Sequence, residues 1–322
     1  MTSKIRMIDA VREALGDELA RDDSVIVYGE DIGLNGGVFR ATEGLVDEYP
    51  DQVFDSPLAE AGIVGLGIGL GACGLTPVPE IQFQSFLYQG FHHLQQHAAR
   101  MRSRSRGTVT CPMTIRTPYG GGIHALEHHA ESFEAGFAHI PGLKIVVPST
   151  PSNTKGLLTA AIRDPDPVVF MEPTRLYRST PEEVPDGEHV VPLGESRTVQ
   201  DGSDVTLVAW GPMVRESLDA VGQVDASVEV IDPQTIWPLD ADAIVESVRK
   251  TGRCVVVHEA PGTAGMGADI VARINDRALY SLEAPVERVT GYDVPLPFFA
   301  REDAYLPDAT RIAAGIERVQ KS

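Results

Sequence analysis

The chain has 322 residues, 43% of them hydrophobic, with 27 basic against 46 acidic side chains and a net charge of −19. That length is too great for one small core and suits two medium domains. The charge argues against nucleic acid as a partner, because a phosphate backbone is bound by releasing counterions to Lys and Arg.

The acidity runs through both halves, with 15 basic and 25 acidic side chains in residues 1–190 and 12 and 21 in residues 191–322, so neither half offers a basic domain. Five of the basic residues are lysines: Lys4, Lys144, Lys155, Lys250 and Lys321. A lysine-poor, acid-rich surface suits a high-salt cytoplasm, where self-repulsion is screened. No apolar run approaches the roughly eighteen residues of a membrane-spanning helix, and no membrane partner is expected. The opening MTSKIRMIDA lacks the basic region, apolar block and cleavage site of a signal peptide, so the expected location is the cytoplasm. Cys73, Cys111 and Cys254 lie far apart with no CxxC pair, which argues against a disulfide framework or a thiolate zinc site.

In chain order, β-rich runs alternate with helical patterns. SVIVYG (24–29) leads to a helical segment from Ala59, then VPEIQF (78–83), a helical segment from Tyr88, PMTIRT (112–117), LKIVVPS (143–149), a helix from Asn153 and PVVFME (167–172). This is the sequence form of an α/β sheet with crossover helices. The stretch 179–196, rich in proline and charge, reads as a linker. The alternation then restarts with DVTLVAWG, a helix from Met213, SVEVIDP, a helix from Asp242 to Lys250, RCVVVHE, a helix from Met266 and PVERVTG. The expected architecture is therefore two α/β domains, residues 1–190 and 191–322.

Several motifs compete for a chemical reading. His93 and His97, and His124 and His128, each set imidazoles four residues apart, and the second pair matches the HxxEH zinc-hydrolase pattern. Against a zinc hydrolase, His93 to His97 lacks a glutamate base, and His124 follows Tyr119 and three glycines, which favours a loop over a ligating helix. Gly69 to Gly74 satisfies GxGxxG by letter but ends a helical segment instead of opening one, and Gly262 to Gly267 is spaced GxxGxG, better suited to a tight turn. Arg100, Arg102, Arg104 and Arg106 suit a helix C-terminus, where backbone carbonyls lack partners.

The informative segment is DSPLAEAGIVGLGIGLG, in which Ser56 is expected to cap a helix and Pro57 to open it. Glu60 then enters a glycine-rich apolar helix with no other charge. A carboxylate in such surroundings is expected to lose solvation and to share or donate a proton.

GEDIGLNGGVFRATEGL (29–45), DSPLAEAGIVGLGIGLGACGL (55–75), PEIQF (79–83), TIRTPYGGG (114–122), HHAES (128–132), AIRDPDPVVF (161–170), DGSDVTLVAWG (201–211), KTGRCVVVHEAP (250–261) and INDRALYSLEAPVERVTGYD (274–293) run in order along nearly the whole chain. Together they resemble the β chain of the pyruvate and branched-chain 2-oxo acid dehydrogenases. The resemblance implies a two-domain transketolase-like thiamin diphosphate fold and a heterotetramer of two α and two β chains. It also implies oxidative decarboxylation of a 2-oxo acid with acyl transfer to lipoamide on a dihydrolipoyl acyltransferase core. Pyruvate is the expected substrate and branched-chain 2-oxo acids the alternative. The α chain would hold the magnesium and diphosphate through a GDG-type motif, which this sequence lacks.

The resemblance makes Glu60 the carboxylate that hydrogen-bonds the aminopyrimidine ring nitrogen and activates the cofactor. It places Phe86 against the ring, with Glu30, Leu58 and Gln82 as further contacts, and His129 near the reacting carbon as the acyl-transfer histidine. A structural potassium ion is implied at Met113, Ala161, Ile162, Asp164 and Asp166, mostly through carbonyl oxygens. Asp166 stands where the family often has asparagine.

Overall fold

The computed structural model describes residues 2–322. Strand β1 (Thr2–Ile5) leads through helix Met7–Arg21 to β2 (Val25–Gly29) and β3 (Val53–Asp55), then through helix Glu60–Ala72 to β4 (Thr76–Glu80). Short helical segments Gln84–Gly90 and Phe91–Gln96 precede β5 (Thr114–Tyr119), β6 (Lys144–Val146), helix Pro151–Ile162, β7 (Val168–Pro173) and β8 (Glu182–Pro185). The remainder holds β9 (Arg197–Gln200), β10 (Val205–Ala209), helix Met213–Val221, β11 (Val228–Asp232), β12 (Thr235–Trp237) and helix Ala241–Thr251. It continues with β13 (Cys254–Pro261), helix Met266–Ala278, β14 (Glu287–Gly291), helix Glu302–Tyr305 and helix Ala309–Lys321.

The first sheet has the order β12-β6-β7-β5-β4-β2-β3 and the second β14-β13-β10-β11-β9, while β1 and β8 form a separate antiparallel pair. All neighbours in the two large sheets run parallel except the edge strands β12 and β9. VIVYG, VVFMEP, VTLVA and VEVID are buried at every position. Helices on both faces require this, and it makes parallel strands continuous apolar runs instead of alternating ones. Helix starts follow local chemistry: Thr150 accepts from the Asn153 N–H ahead of Pro151, and Asp240 and Asp308 accept from Ala243 and Arg311.

The structure departs from the sequence reading in four places. Ser56 does not cap the first-domain helix, which begins at Glu60. Its N–H instead bonds to the Gly29 carbonyl at 2.8 Å, continuing the extended chain beyond β3. VPEIQF leaves the sheet at Glu80, because β4 meets β5 at a single residue pair, Glu80 with Arg116. Within 179–196, Glu182–Pro185 is a strand, tied to the N-terminal strand β1. Finally, Thr235–Trp237 crosses over to extend the first sheet along β6. The hydrophobic core is consequently continuous from Ile145 and Val147 of the first half to Ile236 and Ile244 of the second.

Arg116 lies wholly buried in the middle of the first sheet. Its Nη1 donates to Glu80 Oε2 at 2.8 Å, while Nε and Nη2 donate to the two oxygens of Glu172 on β7 at 2.7 and 3.0 Å. The Tyr177 hydroxyl also donates to Glu172. Burial opposes the guanidinium charge, and the carboxylates of Glu172 and Glu80 outweigh it. The Glu80 carboxyl is pushed above its usual range by burial first and by Glu172 as well, against the pull of Arg116. A buried cation between two anions tolerates no deletion, because the remaining charges cannot be solvated. Arg116→Met should destabilise the fold by about 3–5 kcal/mol in a denaturant titration. Adding Glu80→Gln and Glu172→Gln to that variant should recover part of the loss. A near-neutral Arg116→Met would show that the triad is dispensable.

Candidate functional site

The first sheet reverses its direction of travel at β2, since β3 lies on one side of it and β4 on the other. Crevices at such switch points, at the carboxyl ends of the strands, are where open α/β sheets bind ligands. Glu30 immediately follows β2, while Gln82 and Phe83 follow β4, and Glu60 opens the helix after β3. Glu60 is 6% exposed and its Oε2 is buried without a hydrogen-bond partner. The Glu30 carboxyl is raised by burial, then by the charges of Asp31 and Glu60, so the two glutamates share one electrostatic environment.

Local packing fixes Glu60. The Tyr28 hydroxyl donates to the Ile63 carbonyl in the helix's first turn at 2.8 Å, and a Cβ on Gly67 would strike that hydroxyl and Met113. The glycines therefore let the helix seat closely on β2 and on the chain entering β5. Gly90 lies against Val64, which brings segment Gln84–Gly90, with Phe86, onto the same helix.

His129 reaches this edge from the loop after β5. Its ring lies 4.5 Å from Phe83 and 5.2 Å from Phe86, centroid to centroid, in edge contacts. Nδ1 lies 2.8 Å from the Glu127 carbonyl, which can only accept, so Nδ1 carries a proton and Nε2 is the nitrogen left free of that bond. Residues 120–131 form a compact loop closed by the Gly120 N–H to the Glu131 carbonyl at 3.1 Å. Ser85 donates to the His128 carbonyl, and Tyr88 donates to Glu131 at 2.7 Å.

The second half of the chain supports that loop. Glu302 accepts the N–H groups of Gly122 and His124 at 2.7 Å each, and Glu259 accepts from the Ser132 hydroxyl at 2.6 Å. Behind it, burial pushes the Glu259 and Glu134 carboxyls up to about 7. A cleft of about 220 Å³ between Phe133, Glu259, Leu296 and Tyr305 marks the seam.

Of the expected site residues, Glu30, Glu60, Gln82, Phe86 and His129 thus gather at one sheet edge. Leu58 flanks Glu60 but is 68% exposed. Met113, Ala161, Ile162, Asp164 and Asp166 gather elsewhere, at the amino edge where β5 and β7 begin: Val168 donates to the Met113 carbonyl at 2.9 Å and Asp164 to the Ala161 carbonyl at 3.1 Å. The Met113 carbonyl keeps a second lone pair, whereas the Ala161 carbonyl also faces the Arg163 N–H. Lys144 pairs with Asp164 at 2.6 Å and Arg102 with Asp166 at 2.7 Å, while Arg104 donates to the carbonyl of Gln96, the last residue of helix Phe91–Gln96, at 2.8 Å.

The zinc-hydrolase reading fails on geometry. His124 and His128 lie in irregular loop, both with left-handed φ of 53° and 68°, and their rings engage Asp303 and Glu131 separately. Among the described residues no cluster of three or more potential side-chain ligands exists that could hold a metal ion, the His92, His93 and His97 group included. Sequence reasoning missed Glu259, Glu302 and the buried triad. The readable signal was charge inside apolar strands and the triple glycine, which leaves room for carboxylates: a Cβ on Gly121 would lie 2.6 Å from Glu302 Oε1.

Comparisons with known proteins agree with this geometry. Residues 3–180 match the family model "Transketolase, pyrimidine binding domain" and residues 194–312 match "Transketolase, C-terminal domain". The chain is 51% identical to the pyruvate dehydrogenase E1 component subunit beta of Bacillus subtilis, over 95% of each chain. It is 48% identical to the protein of that name from Acholeplasma laidlawii, over 99% of this chain and 98% of that one. Among solved structures it is similar in fold to a split-gene transketolase, an inactive β4 tetramer, with a TM-score of 0.80, 22% identity and 99% coverage of both chains. Among the described residues no helix is long and apolar enough to cross a membrane.

Proposed function

Because the chain belongs to the family of pyruvate dehydrogenase E1 β subunits, we propose that its crevice is the pyrimidine end of a thiamin diphosphate site for oxidative decarboxylation of pyruvate. The observation that carries this reading is Glu60, a buried carboxylate with one oxygen lacking a partner, at the start of the helix on which the Phe86-bearing segment packs. That oxygen fits a ring nitrogen with which it can share a proton. Thiamin diphosphate, when bound, supplies the carbon nucleophile that adds to the 2-oxo carbon and accepts the electrons released with carbon dioxide. Glu60 holds and returns the proton that activates it. Glu30, its own carboxyl raised by burial and by the charges of Asp31 and Glu60, lies beside it, Phe86 offers a stacking face, and Gln82 and Leu58 bound the crevice. His129, with Nδ1 fixed on Glu127, holds Nε2 ready to take or give a proton as the acyl group passes to lipoamide on the acyltransferase core.

Glu30, Asp31 and Glu60 crowd the crevice with negative charge, so the diphosphate requires neutralisation from elsewhere. We assign that to magnesium and an α chain, in a tetramer of two α and two β subunits in the cytoplasm. The apolar Leu58, exposed in the lone chain, suits that contact. We place the domain boundary at 190/191, which the change of sheet between β8 and β9 supports. Branched-chain 2-oxo acids are the second reading; the relatives' names favour pyruvate.

A potassium ion at the turn 161–166 belongs to the same reading. Lys144 and Arg102 already neutralise Asp164 and Asp166, so the carbonyls of Met113, Ala161 and Ile162 would carry the binding. Replacing potassium by choline should lower the thermal midpoint of the assembled protein, and an unchanged midpoint would remove the ion from the account. For the active site, Glu60→Gln should leave folding and assembly intact while lowering pyruvate decarboxylation by about 10²-fold or more, the scale of a lost proton-transfer group. Near-native turnover by that variant would end the assignment.

A further inference from the structure

We propose that Glu302 is a positioning residue through which the second domain fixes the loop carrying His129; the proposal rests on the reading of His129 given above. The Glu302 side chain is fully buried, and its two oxygens each take one backbone N–H, from Gly122 and His124, at 2.7 Å. Left-handed φ values at Gly120, Gly122 and His124 alternate along this limb. Successive N–H groups in such a chain turn toward one side and form a concave anion seat. Here the anion is a side chain of the protein itself. Charge-assisted bonds to both oxygens set the limb's orientation as well as its position, which a single neutral bond would not.

The loop then transmits that position. From His124 to His129 is five residues, the ends at Gly120 and Glu131 are bonded together, and the imidazole is held by the carbonyl of Glu127 within the same loop. Its ring contacts, Phe83 and Phe86, lie outside the loop, in the chain after β4, which also holds the loop's far limb through Ser85 to His128 and Tyr88 to Glu131. Displacing the limb by about 1 Å would therefore shift His129 against the crevice, an error that can cost up to about 10²-fold in rate. Asp303 also reaches His124, at 2.8 Å, but both partners are exposed and a screened surface pair contributes little. Glu259, on Ser132, secures the other limb. The sequence carries the same message: Gly121 has no room for a Cβ because Glu302 occupies it.

The test uses the assembled αβ protein with Glu302→Ala, Glu302→Gln, His129→Ala and the double variant His129→Ala with Glu302→Ala. Hydrogen exchange over residues 120–131, reductive acylation of a lipoyl domain, and decarboxylation with an artificial electron acceptor are read in parallel. Glu302→Ala should speed exchange in 120–131 and slow acylation by about tenfold or more, with a much smaller loss in the artificial assay. Glu302→Gln, which keeps one accepting oxygen, should fall between it and the native protein, and remains informative if the alanine variant fails to fold. The double variant should acylate no more slowly than His129→Ala, since the clamp acts through that ring. Unchanged exchange, or losses that multiply in the double variant, would overturn the proposal. Unimpaired acylation by His129→Ala would instead refute the role given to His129, and the clamp would then be judged on the exchange alone.

Discussion

One buried guanidinium holds the centre of the first sheet together. Strands β4 and β5 share a single paired position, and at that position Arg116 spans from Glu80 to Glu172 across three strands. Two walls of the crevice are downstream of this seam. Gln82, Phe83 and Phe86 follow the end of β4, and the His129 loop follows the end of β5. If the seam slid, the two walls of the site would lose register with each other. Buried ion pairs give little net stability relative to apolar packing, but they define one geometry sharply. Here that geometry is the distance between the wall bearing Phe86 and the loop bearing His129.

The second constraint is acidity without solvent. Glu60 and Glu30 meet at the crevice, while Glu134 and Glu259 lie behind the His129 loop with carboxyls raised toward neutrality by burial. Glu302, by contrast, is bonded at both oxygens to backbone N–H groups. Under the proposed function the same residue type serves as proton partner, buried seam filler and anion in a backbone seat, according to what surrounds it. The second domain contributes Glu259 and Glu302 and also lends β12 to the first sheet, so the site depends on residues distant in sequence.

Much of the fold was legible because parallel strands buried on both faces read as apolar runs: SVIVYG, PVVFME, DVTLVAWG and RCVVVHE all correspond to strands. Strands β1, β3, β8, β9 and β12 were not foreseen. They are three or four residues long, and their pairing is set by tertiary contacts rather than by local pattern. The terminal helix Ala309–Lys321 was overlooked despite an Asp cap and an apolar face. At the site, Glu60 could be singled out because one charge in an apolar helix is an anomaly. Arg116, Glu80 and Glu172 were equally anomalous inside their strands, but only the sheet order reveals that they meet. Glu302 and Glu259 lie more than a hundred residues from the loop they hold, and no spacing rule connects them.

The central claim is that this chain provides the activating half of a cofactor site whose diphosphate half lies on another chain. Calorimetric titration of thiamin diphosphate, with magnesium, into this chain alone, the α chain alone and their mixture tests it most directly. The account predicts weak binding to either chain separately and stoichiometric, much tighter binding to the mixture, lost again when Glu60→Gln replaces the native chain. Tight stoichiometric binding to this chain alone would contradict it.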